Sequence, residues 1–142
     1  MQIHGGEGEG WRLRLDPQRQ PFSVLIGGRD WAAELSPDEA RQLQAGVRTL
    51  VEQLEAIAPQ LMPDETIELE QASGGLWLQL SGLPGRWSLR FVLEHQPGSS
   101  PGGRGVEGAW DPAASAALAA ALQALPLPGC DRDSRMRRER RD

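Results

Sequence analysis

The chain has 142 residues, 39% of them hydrophobic, with five tryptophans, one cysteine and a formal charge of −5. That is one domain with enough apolar material for a core of its own, which excludes wholesale disorder. The lone thiol, Cys130, excludes an internal disulfide framework and a cysteine metal cluster. All fifteen basic residues are arginine. Six of them follow Gly129 beside four acids, so that segment carries +2 and residues 1–129 carry −7. An acidic body of this kind repels nucleic acid on average, so phosphate binding would need a local patch or the tail.

The first nine residues (MQIHGGEGE) read as a flexible Gly/Glu arm without the features of a signal peptide, and the chain is expected to be cytoplasmic. From Trp11 the pattern has period two. Trp11, Leu13 and Leu15 face one way and Arg12, Arg14 and Asp16 the other, as in a half-buried strand. Asp16-Pro17 starts a turn, Phe22–Ile26 is a compact apolar run before Gly27-Gly28, and Asp30–Leu35 reads as a third strand. Ser36-Pro37-Asp38-Glu39 is a capping box with proline at the first helical position. The helix it opens places Ala40, Leu43, Val47, Leu50, Leu54 and Ile57 on one stripe and ends at Pro59 or Pro63.

Three alternating strands follow. Ile67 and Leu69 alternate with Glu68 and Glu70, Leu76, Leu78 and Leu80 with Trp77 and Gln79, and Trp87, Leu89, Phe91 and Leu93 with Arg86, Ser88 and Arg90. A Gly/Ser loop separates them from a last strand, Val106–Trp110, and Asp111-Pro112 caps a second helix through Leu125. The cap Ser36 lies 26 residues after Gly10, and the cap Asp111 lies 36 after Gly75. Without the ten-residue loop Gln96–Gly105 the two distances agree. The chain therefore reads as a duplicated strands-then-helix unit. The expected architecture is α+β, with two antiparallel sheets each followed by a helix: an arm over 1–9, a domain over 10–125 with halves 10–62 and 63–125, and a disordered arginine-rich tail over 126–142.

The elements GWRLRLDP, GGRDWAAELSPDEA, LWLQLSGLPGRW and GVEGAW, taken together, resemble a small uncharacterised cyanobacterial family, a domain of unknown function, over about Gly8 to Leu125. The resemblance implies a fold like that of the Whirly group and related coactivators that bind single-stranded DNA. It brings no catalytic residues, and fold alone does not fix function.

The strand patterns suggest one surface. With Ser73-Gly74 as a turn, Glu70 would sit opposite Trp77 and Trp77 opposite Arg90, on the face away from the leucines. Trp77 beside Arg86 and Arg90 could then be a stacking platform for single-stranded bases, extended by Arg12 and Arg14 on the first sheet. Arg90 could equally lie over Trp77 as a cation–π pair balanced by Glu70. The other four tryptophans read as core. No nucleophile elbow, phosphate loop, dinucleotide fingerprint or metal-ligand spacing is present, so neither an enzyme nor a cofactor or metal is expected. The expected partner is a single-stranded nucleic acid or, alternatively, another protein, with no membrane involved. The molecule would be a monomer or a homodimer.

Overall fold

The computed structural model describes residues 3–94 and 105–127. Two four-stranded antiparallel meanders follow one another, β1-β2-β3-β4 and β5-β6-β7-β8. The first comprises β1 (His4–Gly8), β2 (Trp11–Leu15), β3 (Val24–Gly27) and β4 (Ala32–Leu35), and leads into α1 (Pro37–Ile57). The second comprises β5 (Ile67–Ser73), β6 (Leu76–Leu83), β7 (Arg86–Leu93) and β8 (Val106–Trp110), and leads into α2 (Pro112–Gln123). This is the expected α+β architecture.

Local chemistry places the helices. The Glu39 amide donates to Ser36 Oγ at 3.2 Å while the Ser36 amide donates to Glu39 Oε1 at 2.9 Å, closing the capping box. Asp111 Oδ1 accepts from the Ala114 amide at 2.9 Å. Each helix then bridges the halves: α1 packs on β5 and β6 as well as on β4, and α2 packs on β7 and β2. Leu13, Leu15, Val24 and Ile26 from one sheet and Leu78, Leu80, Leu89 and Phe91 from the other form one continuous core with the helices.

The joint is reciprocal. Trp31 Nε1 donates to the Ala109 carbonyl at 3.0 Å, and Trp110 Nε1 donates to the Gly27 carbonyl at 2.9 Å, so each half supplies an indole to the other's backbone. The two rings lie 5.3 Å apart and both meet Phe91. A Cβ at Gly108 would stand 2.5 Å from the Trp31 ring, so the glycine of the GVEGAW element makes room for the tryptophan of GGRDWAAEL. Between the helices, buried Gln44 donates Nε2 to the carbonyls of Leu122 (2.8 Å) and Leu125 (3.0 Å), and Gln123 returns a bond to the Gln44 carbonyl at 3.0 Å. Arg29 donates to Asp111 Oδ2 at 3.0 Å through Nε and at 2.8 Å through Nη2. That bond, followed by the Ala114 amide, holds the Asp111 carboxyl below its usual range and Arg29 more firmly protonated.

Four expectations need correction. Residues 4–8 are not part of a flexible arm but an edge strand, with Gly5 opposite Arg14 and Glu7 opposite Arg12. Gly5 has φ +133, and a Cβ there would lie 2.1 Å from the Leu13 carbonyl oxygen, so these glycines serve close approach rather than mobility. The fourth strand begins at Ala32 rather than Asp30. The third strand is Val24–Gly27, shifted from Phe22–Ile26. Core packing runs past Leu125 to Leu127, which is buried. The remainder of the tail, with Cys130, and most of the Gly/Ser loop lie outside the described residues.

Replacing Gln44 by alanine removes two buried hydrogen bonds between the helices and leaves a gap at their joint, while the Leu122 and Leu125 carbonyls keep their backbone donors. Urea unfolding should show a loss of roughly 2–4 kcal/mol. The Asp111 carboxylate has a folded pKa below its unfolded value near 3.8. Its stabilisation is therefore present above that value and is lost as the pH falls through the folded one. Asp111→Asn, which keeps a helix cap, should show a shallower fall in melting temperature between about pH 5 and pH 2 than the wild type does.

Candidate interaction surfaces

The outward face of the second sheet carries the residues singled out from the sequence, but in a different register. The β5–β6 turn is Gly74-Gly75, so Trp77 lies opposite Ala72 and Val92, while Gln79 lies opposite Glu70 and Arg90. Both strand pairs are offset by two positions from the expected pairing. Gly74 adopts φ +59, the left-handed conformation this turn requires, which is why the turn closes one residue later than a Ser73-Gly74 turn would. An offset of two leaves every side chain on its expected face.

Contacts therefore run diagonally. Trp77 Nε1 donates to Glu70 Oε1 at 2.9 Å, and the Arg90 guanidinium carbon lies 5.5 Å from the Trp77 ring centre. Half-buried Trp77 is thus engaged within the sheet by a cation on its face and a carboxylate on its N–H. Arg86 is exposed at the start of β7 and shares this outward face. Glu68, Glu70 and Glu107 share it too, so its acids outnumber its two arginines. On the first sheet, Arg12 and Arg14 are exposed together on the outward side of β2, with no ion pair among the described residues. They belong to the other half of the molecule and do not join Trp77 in one contact set. The expected core role holds fully for Trp110, while Trp11, Trp31 and Trp87 are partly buried against the core.

A second surface was not anticipated. Where α1 lies over the end of the β5–β6 hairpin, a cleft of about 410 Å³ with a mixed polar and apolar lining opens between Gln42, Ala45, Gly46 and Thr49 of the helix, Gln71 and Ser73 of β5 and Leu76 of β6. Asp38 and Arg41, an ion pair one turn into α1, stand at the same cleft. The signal for it was faint: Gln71 stands at an inward position of β5, where the pattern Ile67, Leu69 calls for another apolar residue. Among the described residues no three His, Cys, Asp or Glu side chains converge as a metal site, and no helix is long and apolar enough to cross a membrane.

Two sheet-plus-helix units locked through swapped tryptophans define an α+β domain with solvent-facing sheet surfaces and a cleft between α1 and β5. The chain belongs to the family described as Domain of unknown function (DUF1818), whose model matches residues 6–125. It is also similar to a crystal structure of a protein with unknown function from the DUF155 family of Prochlorococcus sp. NATL2A, with 34% identity, a TM-score of 0.77 and coverage of 87% of this chain and 98% of that one. No curated protein matches the chain.

The Trp77 ladder should be measurable in isolation. A double-mutant cycle of Trp77→Ala and Arg90→Ala should give a coupling of roughly 0.5–1 kcal/mol, the range for an exposed cation–π pair. A coupling near zero would mean that Arg90 does not hold the ring.

Proposed function

We propose that this chain is a non-enzymatic binding module whose partner is a protein taken up in the cleft between α1 and β5. The observation that carries this reading is the cleft itself, a concave surface of mixed polar and apolar lining beside an edge strand. The surface is built on rigid elements, as a recognition site needs. The surplus of acid over residues 1–129 supports a protein partner over a phosphate backbone. The test is to block the cleft. Ala45 is exposed on α1, so Ala45→Trp fills the cleft without touching the core. A partner retained by the wild-type chain in affinity capture should be lost with this variant, and equal retention would place the contact elsewhere.

A second reading, binding of single-stranded nucleic acid, is favoured by the exposed pair Arg12 and Arg14 and by the resemblance to the Whirly group. Against it stands the engaged ring of Trp77, because a stacking base would have to displace Arg90 from its face while Glu70 holds its N–H. Fluorescence anisotropy with labelled single-stranded oligonucleotides at about 50 and 200 mM salt separates the two readings, since phosphate-driven affinity falls steeply over that range. The protein-partner reading predicts no binding at the higher salt. Tight binding that Trp77→Ala or Arg12→Ala abolishes would reverse the order of the two readings.

A further inference from the structure

We propose that the open edge of β5 takes up an extended segment of a partner protein as an added strand, and that this segment carries arginine or lysine at alternate positions. The proposal rests on the protein-partner reading above and names the partner's chemistry. Backbone hydrogen bonds from an added strand supply affinity, and pockets for alternate side chains supply specificity.

The four edge strands of the two sheets are β1, β4, β5 and β8, and they are not equivalent. Proteins protect such edges with short strands, kinks, bulges or charge. β1 is three-fifths glycine, with Gly5 at φ +133. β4 has only four residues, and its Glu34 is clasped by Arg19 at 2.5 Å. β8 gives its Ala109 carbonyl to Trp31 of the other half. β5 is neither short nor kinked nor clasped by the other half, and charge is its one protection. It runs seven residues, contains neither glycine nor proline, and among the described residues forms its ladder with β6 alone.

What β5 does carry is charge of one sign. Glu68 and Glu70 point outward, and each shares one carboxylate oxygen with β6, Glu70 with Trp77 and Glu68 with Gln79. Both lie exposed on the face an added strand would continue. Residues directly opposite across a strand pair stand about 4.5–5.5 Å apart at Cβ, close enough for opposite charges to stabilise and like charges to oppose. A second copy of β5 is therefore disfavoured in the fully overlapping register. Antiparallel self-pairing that keeps the faces matched sets Glu70 against Glu70 when centred there, and Glu68 against Glu70 when centred on Leu69. An incoming strand with cations at every second position meets complementary charge instead. Its intervening side chains point to the other face, and those beside Gln71 and Ser73 meet the cleft walled by Gln42, Ala45 and Thr49, where Gln71 offers an amide. Edge, charge and cleft thus describe one occupant: an extended basic peptide with small or polar residues between its cations.

The test uses the full chain and a short fluorescein-labelled peptide that alternates arginine and threonine. A control peptide of the same sequence and charge, N-methylated on alternate residues, cannot complete a ladder. The unmodified peptide should bind, and the methylated one should bind at least about tenfold more weakly, through loss of several backbone hydrogen bonds. Glu68→Gln with Glu70→Gln, both at exposed positions, should weaken binding about three- to tenfold, as expected for two solvent-facing charge pairs. Equal binding of both peptides would reduce the effect to charge attraction and overturn the added strand. An unchanged affinity in the double variant would overturn the assignment to this edge. If the peptide does not bind while a partner sensitive to Ala45→Trp is still captured, strand addition is wrong and the cleft reading stands. If neither occurs, both fall.

Discussion

Trp31 and Trp110 each reach across the molecule to donate an indole N–H to the backbone of the opposite half, and the rest of the structure depends on that exchange. Each half alone is a meander of short strands with one apolar face and a single helix, too little to bury its own core. The two indoles with Phe91 form an aromatic group in which each pair contributes roughly 0.5–1.5 kcal/mol beyond burial. They also satisfy two carbonyls that would otherwise be lost to water at the joint. Once the halves are locked this way, α1 must lie on β5 and β6 although it follows the first sheet. The helices are then held side by side by the Gln44–Gln123 exchange. The inner faces of both sheets are consumed. What remains for a partner is the outward faces and the unclaimed edges.

Those remaining surfaces differ in chemistry. The Trp77 face is occupied by its own neighbours: the ring carries a cation, its N–H is bonded to Glu70, and Glu68 and Glu107 share the same outward face. An aromatic platform for bases works best with an open ring and positive surroundings, whereas here Arg90 and Glu70 already engage the ring and acids outnumber the two arginines. The cleft along β5 is concave, with a mixed polar and apolar lining, and lies beside an edge strand. Acidic side chains at Glu68 and Glu70 guard that edge against a second copy of the chain while leaving it receptive to a cationic segment.

Much of the fold was legible because it is written in local chemistry. Ser36-Pro37 and Asp111-Pro112 announce both helices, and strict alternation at Leu13/Leu15, Leu76/Leu78/Leu80 and Leu89/Phe91/Leu93 announces the buried faces. Strand β1 was not legible, because its glycines have no periodicity and the reason for them, the approach to the Leu13 carbonyl, exists only in three dimensions. Register was misplaced by two at both hairpins of the second sheet. Alternation determines the face a residue occupies but not its opposite number, which the turn residues decide. Trp77, Arg86 and Arg90 could therefore be placed on one surface, and the cation–π alternative foreseen for it, before their contacts were known. The cleft was hidden for a different reason. It arises where α1 lands on β5, a contact set by the tryptophan exchange far along the chain, and only the inward Gln71 marked it.

The most direct test of the account is amide hydrogen exchange along residues 67–73, with and without the arginine–threonine peptide. Outward-facing amides of a free edge exchange readily, and a ladder partner protects them. The account predicts that protection rises on β5 upon peptide binding, while β1, β4 and β8 are unchanged. Binding without new protection on β5, or protection appearing around Trp77 on β6 and β7 instead, would contradict it.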